Sequence, residues 1–411
     1  MSHGSCRFCQ ASLEDTVVDL GMSPLSNAYL EKHMLTQKEA FYPLHALLCR
    51  SCFLVQLLEY ESPEAIFEDY AYFSSYSESW LAHASAYCDA MEQRLDLNDN
   101  HQVIELASND GYLLQYFAKK NIPVLGIEPA KNVAKVAREK GIPTRDVFFG
   151  VETANALQDE GIGADLLLGN NVLAHVPDIN DFVGGMKRVL KPEGTITMEF
   201  PHLLRLMREN QFDTIYHEHF SYLSLYTVKA IFAAHGLHLF DVEELSTHGG
   251  SLRIFATHAE RAEPETQELL RVLAEEETYG LLRVETYAAF SEQAQKTKHA
   301  LMDMLLRIKA EGKTVAAYGA AAKGNTLLNY CGIGTDLVHF VVDKSPHKQN
   351  RYLPGSHLPI HAPEEIDAAK PDFVLILPWN LQDEIIAQLQ QIKTWGGQFI
   401  IPIPSPRILA P

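Results

Sequence analysis

The chain has too few basic residues to present a broad surface to nucleic acid. Its 34 lysines and arginines stand against 53 aspartates and glutamates, so the formal net charge of the 411 residues is −19. A protein that wraps nucleic acid needs a basic face, so this class of function is excluded. The sequence also lacks an apolar signal region and any apolar run long enough to cross a bilayer, which predicts a cytoplasmic protein without membrane contact.

Cysteine is scarce too, and four of the six cysteines form two C-x-x-C pairs. Cys6 and Cys9 make the first pair, and Cys49 and Cys52 make the second. Four thiolates are a ligand set that tetrahedral zinc prefers, whereas disulfides are disfavoured inside the cell and a redox C-x-x-C would not need two copies. The spacing therefore predicts a structural Zn²⁺ that holds a small N-terminal domain. The isolated cysteines are expected to be small buried hydrophobic residues: Cys88 and Cys331.

Glycine is sparse where a dinucleotide-binding loop would need it. Residues Val103–Leu114 predict a buried strand, a tight turn and the start of a helix. Ala107 and Asn109 stand where the G-x-G-x-x-G pattern would place glycine, so no pyrophosphate clamp is evident. The next apolar strand ends at Glu128, where an acid can accept hydrogen bonds from both hydroxyls of a ribose. Turn and acid together predict a nucleoside site in a doubly wound α/β sheet.

Two later stretches extend this pattern. Ala164–Asn171 predicts a third strand that ends in polar residues, and Thr195–Phe200 predicts a fourth. In order and spacing, the four elements resemble the class I S-adenosylmethionine (SAM)-dependent methyltransferases. This resemblance implies SAM as cofactor, bound near the turn and the two strand ends by the following residues: Glu105, Ala107, Asn109, Gly111, Glu128 and Asn170. His175, just after the third strand, either contacts a substrate or merely packs or caps.

An aromatic segment precedes these strands. Asp69–Ser77 contains three tyrosines, a phenylalanine and three serines, and Trp80 and His83 follow it. Aromatic rings stack on flat or apolar faces while hydroxyls bond to a polar rim, so the segment suits the wall of a sugar or nucleotide site. A linker that packs two domains together remains the alternative.

The stretch Asp213–Ser224 carries the candidate reaction chemistry, because His217 and His219 flank Glu218 between tyrosines. The two histidines lack the i, i+4 spacing of a helical metal site, although in an extended segment they could bind metal as a pair. Methylation of carbon requires a base that removes a proton beside a carbonyl, and histidine suits that task near neutral pH. A neighbouring carboxylate can fix its tautomer, and a tyrosine hydroxyl can stabilise the enolate oxygen. A purely structural role remains open.

These features together resemble one family, the sugar C-3 methyltransferases, which act on nucleotide-activated deoxysugars. The strongest motifs are the two C-x-x-C pairs, the aromatic segment, GNNVLAHVPD (169–178) and YHEHFSYLS (216–224). The resemblance covers essentially the whole chain and implies a dTDP-linked 4-keto-6-deoxy sugar as substrate. It implies His219 as the base, with Glu218 and Tyr216 as partners. The residues expected at the substrate are Tyr76, Asn171, His175, His217, Tyr222 and Lys323.

The last hundred residues predict a second nucleotide-like unit. Thr314–Gly319 predicts a strand that turns into a helix near Lys323, and strands are expected at 338–342, 373–377 and 398–401. Small residues at such a turn admit a phosphate, which Lys323 could neutralise. The domain could clamp the pyrophosphate of a nucleotide sugar, bind NAD, or be purely structural.

The predicted domains are a zinc-binding domain (1–68), a methyltransferase domain with a helical extension (69–310) and a Rossmann-like domain (311–411). The sequence predicts a C-methyltransferase that acts on a small molecule. The alternatives are an O- or N-methyltransferase, a non-catalytic sugar-nucleotide-binding protein and an NAD oxidoreductase. The glycine turn Thr247–Ser251 either borders the substrate or is an ordinary hairpin. The sequence does not determine the oligomeric state.

Overall fold

The structure is a computed structural model that describes residues 4–62, 73–261 and 263–410. Residues 69–72 of the aromatic segment lie outside these ranges, and so does the predicted domain boundary at residue 68. Among the described residues, no helix combines the length and the apolar character needed to cross a membrane.

Strands and helices alternate along most of the chain. In chain order the strands are β1 (Asp15–Ser23), β2 (Tyr42–Leu48), β3 (Val55–Gln56), β4 (Val103–Leu106), β5 (Val124–Ile127), β6 (Thr144–Arg145), β7 (Ala164–Asn170), β8 (Leu190–Pro201), β9 (Ser221–Tyr222), β10 (Leu237–Leu245), β11 (Ser251–His258), β12 (Val315–Tyr318), β13 (Val341–Val342), β14 (Ile360–His361), β15 (Phe373–Ile376), β16 (Gln398–Ile401) and β17 (Arg407–Leu409). The α-helices are α1 (Glu78–Leu95), α2 (Leu114–Lys119), α3 (Lys131–Glu139), α4 (Val151–Asp159), α5 (Ile179–Val189), α6 (Leu203–Arg208), α7 (Leu225–Ala234), α8 (Gln267–Tyr279), α9 (Val284–Ala310), α10 (Ala322–Cys331), α11 (Glu365–Ala369) and α12 (Gln382–Gln388). Short 3₁₀ helices matter to the site at Ser74–Tyr76, Leu173–His175, Phe212–Thr214, Thr247–Gly249 and Trp379–Leu381.

The chain divides into two compact units, each built from several separate segments. The first comprises Met1–Leu13, Cys49–His202 and Phe220–Leu282, and the second comprises Glu14–Leu48, Leu203–His219 and Arg283–Pro411. The predicted division into three consecutive domains stays a prediction.

The first unit contains a seven-stranded sheet in the order β10-β11-β8-β7-β4-β5-β6. The five strands from β8 to β6 run parallel, whereas β11 is antiparallel to both of its neighbours. The strand order reverses between β4 and β7, and open α/β sheets bind ligands at the carboxyl ends of strands at such a point. The predicted doubly wound sheet is therefore confirmed.

Strand β4 is buried on both faces. All four residues of Val103–Leu106 are buried, as expected for a parallel strand with helices on each side. The core beside it contains the buried rings of Tyr87, Phe117 and Phe255. Cys88 packs in the same cluster, and Cys331 is also buried, which confirms that both are small core residues.

The second unit contains a six-stranded sheet in the order β14-β13-β12-β15-β16-β17. Its strands are parallel except β17, which runs antiparallel to β16. This confirms the α/β fold predicted for the C-terminal residues, although the strand expected at 338–342 is reduced to Val341–Val342, which pairs over two residues with each of β12 and β14. Strands β1 and β2 form an antiparallel pair in the same unit.

Candidate functional site

The turn after β4 has a strained backbone. Ala107, Asn109 and Gly111 all have left-handed backbones, with φ of 56°, 50° and 75°. Asparagine and glycine tolerate this region, but alanine does so only at a cost of about 1–3 kcal/mol. Such strain concentrates at ligand sites, and this turn lies at the point where the strand order reverses.

Glu128 follows β5 and is held against this turn. Its carboxylate accepts hydrogen bonds from the backbone N–H of Asn109 at 2.9 Å and of Ala130 at 2.8 Å. Burial raises the pKa of Glu128 to about 7, although the two backbone donors oppose that shift. Because each carboxylate oxygen has a second lone pair, the group can also accept a hydrogen bond from a ribose hydroxyl.

Glu105 provides a test of whether the residues present fit SAM. It is fully buried, and neither carboxylate oxygen has a hydrogen-bond partner within the described residues. Burial, and then the nearby carboxylates of Glu128 and Asp110, raise its pKa well above the usual range. An unpaired buried acid is costly unless a cation or donor satisfies it, and the ammonium group of SAM supplies both properties. The donor and acceptor set therefore fits SAM.

The end of β7 contributes two asparagines. The Asn170 amide nitrogen is buried without a hydrogen-bond partner among the described residues. Asn171 has a left-handed φ of 55°, and its amide nitrogen lies 3.2 Å from His248 Nε2. Both polar side chains therefore stand at the carboxyl end of the sheet, as predicted. His175 follows in a 3₁₀ turn and is half-buried.

The described end of the aromatic segment packs on the same turn. The Ser74 N–H donates to Asn109 Oδ1 at 2.9 Å. Lys140 Nζ donates both to Ser75 Oγ at 2.9 Å and to Asp110 Oδ2 at 2.8 Å, and so bridges the segment to the turn. Tyr76 remains 62% exposed. Residues 73–77 therefore contact the turn after β4, and their role as a ligand wall stays a prediction.

A buried polar network at β8 was not predicted from the sequence. Glu199 is fully buried and its carboxylate contacts His83 Nε2 at 2.9 Å, Arg253 at 3.1 Å and the Thr247 hydroxyl at 2.8 Å. Burial opposes ionisation, but the His83 and Arg253 contacts outweigh it and lower the pKa of Glu199. The only sequence signal was a charged residue in each of two apolar strands.

Aromatic rings line the same region of the first unit. Trp80 stacks on His83 with ring centres 5.0 Å apart, stacks on Tyr112 at 6.0 Å, and meets His248 edge-on at 5.1 Å. His248 is itself held in a left-handed conformation, with φ of 55°. Residues of the glycine turn 247–251 therefore contact Asn171 and Glu199, which favours the ligand-border interpretation over an ordinary hairpin.

The second unit holds the candidate base. His219 Nδ1 lies 3.0 Å from the Thr214 carbonyl oxygen, and His219 Nε2 lies 2.8 Å from the Tyr216 hydroxyl. A carbonyl only accepts, so Nδ1 carries the hydrogen and Nε2 accepts from the tyrosine. His219 and Tyr216 are both half-buried. This is the tautomer that a general base acting through Nε2 requires.

Glu218 directly precedes His219 in the sequence and is buried, but its carboxylate binds a residue from a distant part of the chain. Asn27 Nδ2 donates to its carboxylate at 2.6 Å, and the Tyr29 hydroxyl lies 3.2 Å from Asn27 Oδ1. Burial raises the pKa of Glu218 to about 7. Asn27 was missed from the sequence because it lies 191 residues away from Glu218, and Tyr29 is close to Asn27.

The other predicted substrate residues are placed separately. His217 is buried, with Nε2 3.2 Å from the Pro43 carbonyl, and burial lowers its pKa. Tyr222 belongs to the first unit, where it is buried in β9 and pairs with Val55. Lys323 Nζ bonds to Asn380 Oδ1 at 2.7 Å and lies 4.7 Å from the centre of the Trp379 ring. The contacts of these residues with a substrate stay predictions.

The four paired cysteines converge in the first unit. Their sulfur atoms all lie within 4.8 Å of one another, with Cys6 and Cys52 at 3.6 Å and Cys9 and Cys49 at 3.4 Å. Zn–S bonds of about 2.3 Å in a tetrahedron place sulfurs roughly 3.8 Å apart, so this set fits zinc. The separations also exclude disulfides, whose S–S bond is about 2.0 Å.

Both cysteine pairs contact helices of the first unit. Asn180 of α5 donates to the backbone carbonyls of Arg7 and Phe8 at 3.1 and 2.9 Å. Thr227 of α7 donates to the Cys52 carbonyl at 3.1 Å. An ion that ties the two pairs together would therefore also fix these contacts, which is a structural role.

Glu128 gives the first testable prediction. Replacing it with glutamine removes a charged acceptor, so we expect SAM affinity to fall about 10- to 100-fold, because hydrogen bonds to charged groups contribute about 1.5–3 kcal/mol. Ribose hydroxyls prefer the ionised carboxylate, so wild-type affinity is expected to weaken as the pH falls through about 7. Titration calorimetry at several pH values measures both effects.

The matched control is Glu139→Gln, because Glu139 is an exposed residue of α3 whose carboxylate lies 3.8 Å from Lys135 Nζ. Its SAM affinity and pH profile should equal those of the wild type. Equal affinity in the Glu128 variant and its control would contradict the ribose assignment.

Comparison with known proteins places this geometry in a family. Three family models match in succession: a "Putative zinc binding domain" over residues 6–67, a methyltransferase domain over 80–242 and a C-methyltransferase C-terminal domain over 246–404. C-methyltransferase NovU from Streptomyces niveus is 36% identical over 405 residues, covering 98% of this chain and 96% of its own. A ubiquinone biosynthesis O-methyltransferase from Bartonella tribocorum is 29% identical over 97 residues, 23% of this chain and 39% of its own.

Solved structures match over less than half of the chain. The PH0226 protein from Pyrococcus horikoshii OT3 is 14% identical with a TM-score of 0.36, covering 48% of this chain and 99% of its own. Magnesium protoporphyrin IX methyltransferase from Synechocystis PCC 6803 is 13% identical with a TM-score of 0.33, covering 47% and 88%. Because the match to NovU spans nearly the whole of both chains and the methyltransferase model covers the sheet with the SAM-type turn, the protein belongs to the SAM-dependent C-methyltransferases and has their class I Rossmann-like fold.

Proposed function

We propose that the enzyme methylates C3 of a nucleotide-linked 4-keto-6-deoxy sugar, with dTDP as the expected nucleotide, through an enolate. The observation that carries this proposal is the pair of hydrogen bonds at His219, one from Nδ1 to the Thr214 carbonyl and one from the Tyr216 hydroxyl to Nε2. An O- or N-methyltransferase has no need of a base built for a carbon acid. A neutral imidazole with a fixed tautomer suits removal of a proton made acidic by a ketone.

His219 Nε2 takes the C3 proton, and the electron pair of the C–H bond moves toward the C4 ketone. For this step the Tyr216 hydroxyl must first turn its hydrogen bond from Nε2 to the ketone oxygen, which frees the Nε2 lone pair and stabilises the negative charge that develops on that oxygen. SAM, when bound, supplies the electrophilic methyl group. The protein contributes by positioning the reacting carbon, and correct orientation alone can supply about 7–11 kcal/mol of the barrier.

Glu218 is proposed as a partner of His219 and Tyr216 rather than as the base. Its carboxyl is buried and held by Asn27, and its pKa of about 7 means that it is partly protonated near neutral pH. A group in that state can donate or accept a hydrogen bond at the sugar. His217 is proposed to contact the substrate on the same segment.

Substrate contacts outside this segment form part of the same proposal. In the first unit they are assigned to Tyr76, Asn171, His175 and Tyr222. In the second unit, Lys323 is proposed to neutralise the pyrophosphate from its position after β12. A variant Lys323→Ala would then raise KM for the nucleotide sugar and leave KM for SAM unchanged.

We also propose that the ion held by the four cysteines is zinc and that it has no part in the chemistry. The four thiolates would complete a tetrahedral site and leave no open position for a substrate, which distinguishes structural from catalytic zinc.

Two measurements test the proposed reaction. Mass spectrometry of SAM incubated with a panel of nucleotide-linked 4-ketosugars should detect a product heavier by one methylene and linked through carbon. In D₂O without SAM, the true substrate should exchange the C3 hydrogen for deuterium, because the base acts before methyl transfer. Methylation at oxygen or nitrogen, or methylation at C3 without exchange in any condition, would contradict the enolate mechanism.

A further inference from the structure

The Asp213 side chain is bound at the end of the C-terminal six-stranded sheet where Rossmann-like folds usually bind a ligand. Strands β12 and β15 flank the point where the strand order reverses, so a ligand would be expected beyond their carboxyl ends. The turns that follow these two strands approach each other closely, because a Cβ at Gly319 would lie 2.5 Å from Pro378 Cδ. The next residue, Trp379, donates its indole N–H to Asp213 Oδ2 at 2.7 Å, and Asp213 is fully buried.

The hydrogen bond from Trp379 to Asp213 is one anchor of the segment 212–215. A second anchor lies two residues further along this segment, at Ile215. Thr326 of α10 donates its hydroxyl to the Ile215 carbonyl at 3.0 Å, and both residues are about 1% exposed. Phe212, at the start of the segment, packs edge-on against Tyr330 of the same helix at 5.4 Å. The segment 212–215 is therefore fixed by side chains that follow β12 and β15.

The residue between the two anchors is Thr214, whose carbonyl accepts the hydrogen bond from His219 Nδ1. Asp213 and Ile215 are its immediate neighbours, so the residues on both sides of Thr214 are tied to the C-terminal sheet, Asp213 through its side-chain carboxylate and Ile215 through its backbone carbonyl. A displacement of that oxygen by 1 Å would lengthen the 3.0 Å bond beyond hydrogen-bonding range and release the imidazole tautomer.

We propose that Trp379 and Thr326 are positioning residues for catalysis: they hold the Thr214 carbonyl, which keeps the hydrogen of His219 on Nδ1 and the lone pair on Nε2. The C-terminal domain thereby contributes to the chemistry through the backbone of the catalytic segment. The inference rests on the proposed role of His219 as the base. It assigns to this domain a function separate from any contact with the nucleotide.

The test uses Thr326→Val in the full-length enzyme, which removes the hydroxyl and preserves the side chain's shape. The Ile215 carbonyl then loses its buried donor, and the neighbouring Thr214 carbonyl is expected to shift. We expect kcat to fall about tenfold, with KM for SAM unchanged, because the SAM residues belong to the other unit. The ¹⁵N shifts of His219, assigned by their loss in His219→Gln, should move from the Nδ1–H pattern toward a mixture of tautomers.

The matched control is Thr297→Val. Thr297 is a buried threonine of the same unit whose hydroxyl accepts from Asn210 at 2.8 Å and, like that of Thr326, donates to a backbone carbonyl, that of Pro404 at 3.2 Å. This variant should lose stability without changing the His219 tautomer. Thr326→Ser, which keeps the hydroxyl, should restore both kcat and the ¹⁵N pattern, and Trp379→Phe should reproduce the tautomer change by removing the other anchor.

The two proposals fail in different ways. An unchanged Nδ1–H pattern in both Thr326→Val and Trp379→Phe would overturn the positioning role even if kcat fell. A tautomer change in these variants while His219→Gln kept near-normal turnover would uphold the geometric link and refute His219 as the base, and with it any catalytic meaning of the positioning.

Discussion

Replacing His219 with glutamine is expected to lower kcat for C-methylation by about 10²- to 10⁴-fold, which is the usual contribution of a general base. Glutamine can still donate to the Thr214 carbonyl and bond to Tyr216, but it cannot take a proton at neutral pH. Deuterium exchange at C3 should be lost together with turnover, while SAM binding, measured by calorimetry, should remain near the wild-type value.

His339→Gln is the matched control for this variant. Its Nδ1 also lies near a backbone carbonyl, that of Val315 at 3.1 Å, and it belongs to the same unit. Full activity in this control combined with loss in His219→Gln would tie the effect to the position and not to the substitution. Near-normal turnover in His219→Gln, with both ligands bound, would show that another group removes the proton.

Substitution of Cys49 by serine is expected to release the metal and destabilise the first unit by more than about 4 kcal/mol, since loss of a metal site belongs to the rare class of severe substitutions. The sulfur atoms of Cys9 and Cys49 lie 3.4 Å apart, so removal of one thiolate leaves three ligands from two otherwise separate loops. The contacts of Asn180 and Thr227 with those loops should then loosen. Elemental analysis measures the metal per chain, and thermal unfolding measures the stability.

Cys331→Ser provides the comparison, because Cys331 is buried far along the sequence and outside the four-sulfur cluster. Burial raises its pKa to about 12, so its thiolate form is disfavoured near neutral pH. The control should keep one zinc per chain. Equal metal content in both variants would show that the cysteine cluster does not hold the ion.

The motifs that sequence reasoning identified correctly are local ones. A C-x-x-C pair places two ligands on one turn, and the residues from Val103 to Gly111 specify a strand and a turn by themselves. The long-range networks were not predictable in this way. His83 and Glu199 are separated by 116 residues, and Asp213 and Trp379 by 166, so no periodicity or spacing links them.

The sequence by itself determined the succession of the core strands along the chain, the two C-x-x-C pairs whose sulfur atoms converge, the acid at the end of β5 and the presence of a histidine suited to proton transfer. It did so because these features depend on neighbouring residues and on burial that apolar patterns reveal. Only the tertiary structure decided which nitrogen of His219 carries the hydrogen, because Thr214 must be brought to it and is fixed from a different sheet. Tautomer, burial and raised pKa values arise when distant segments exclude water together, and that happens only after the chain has folded.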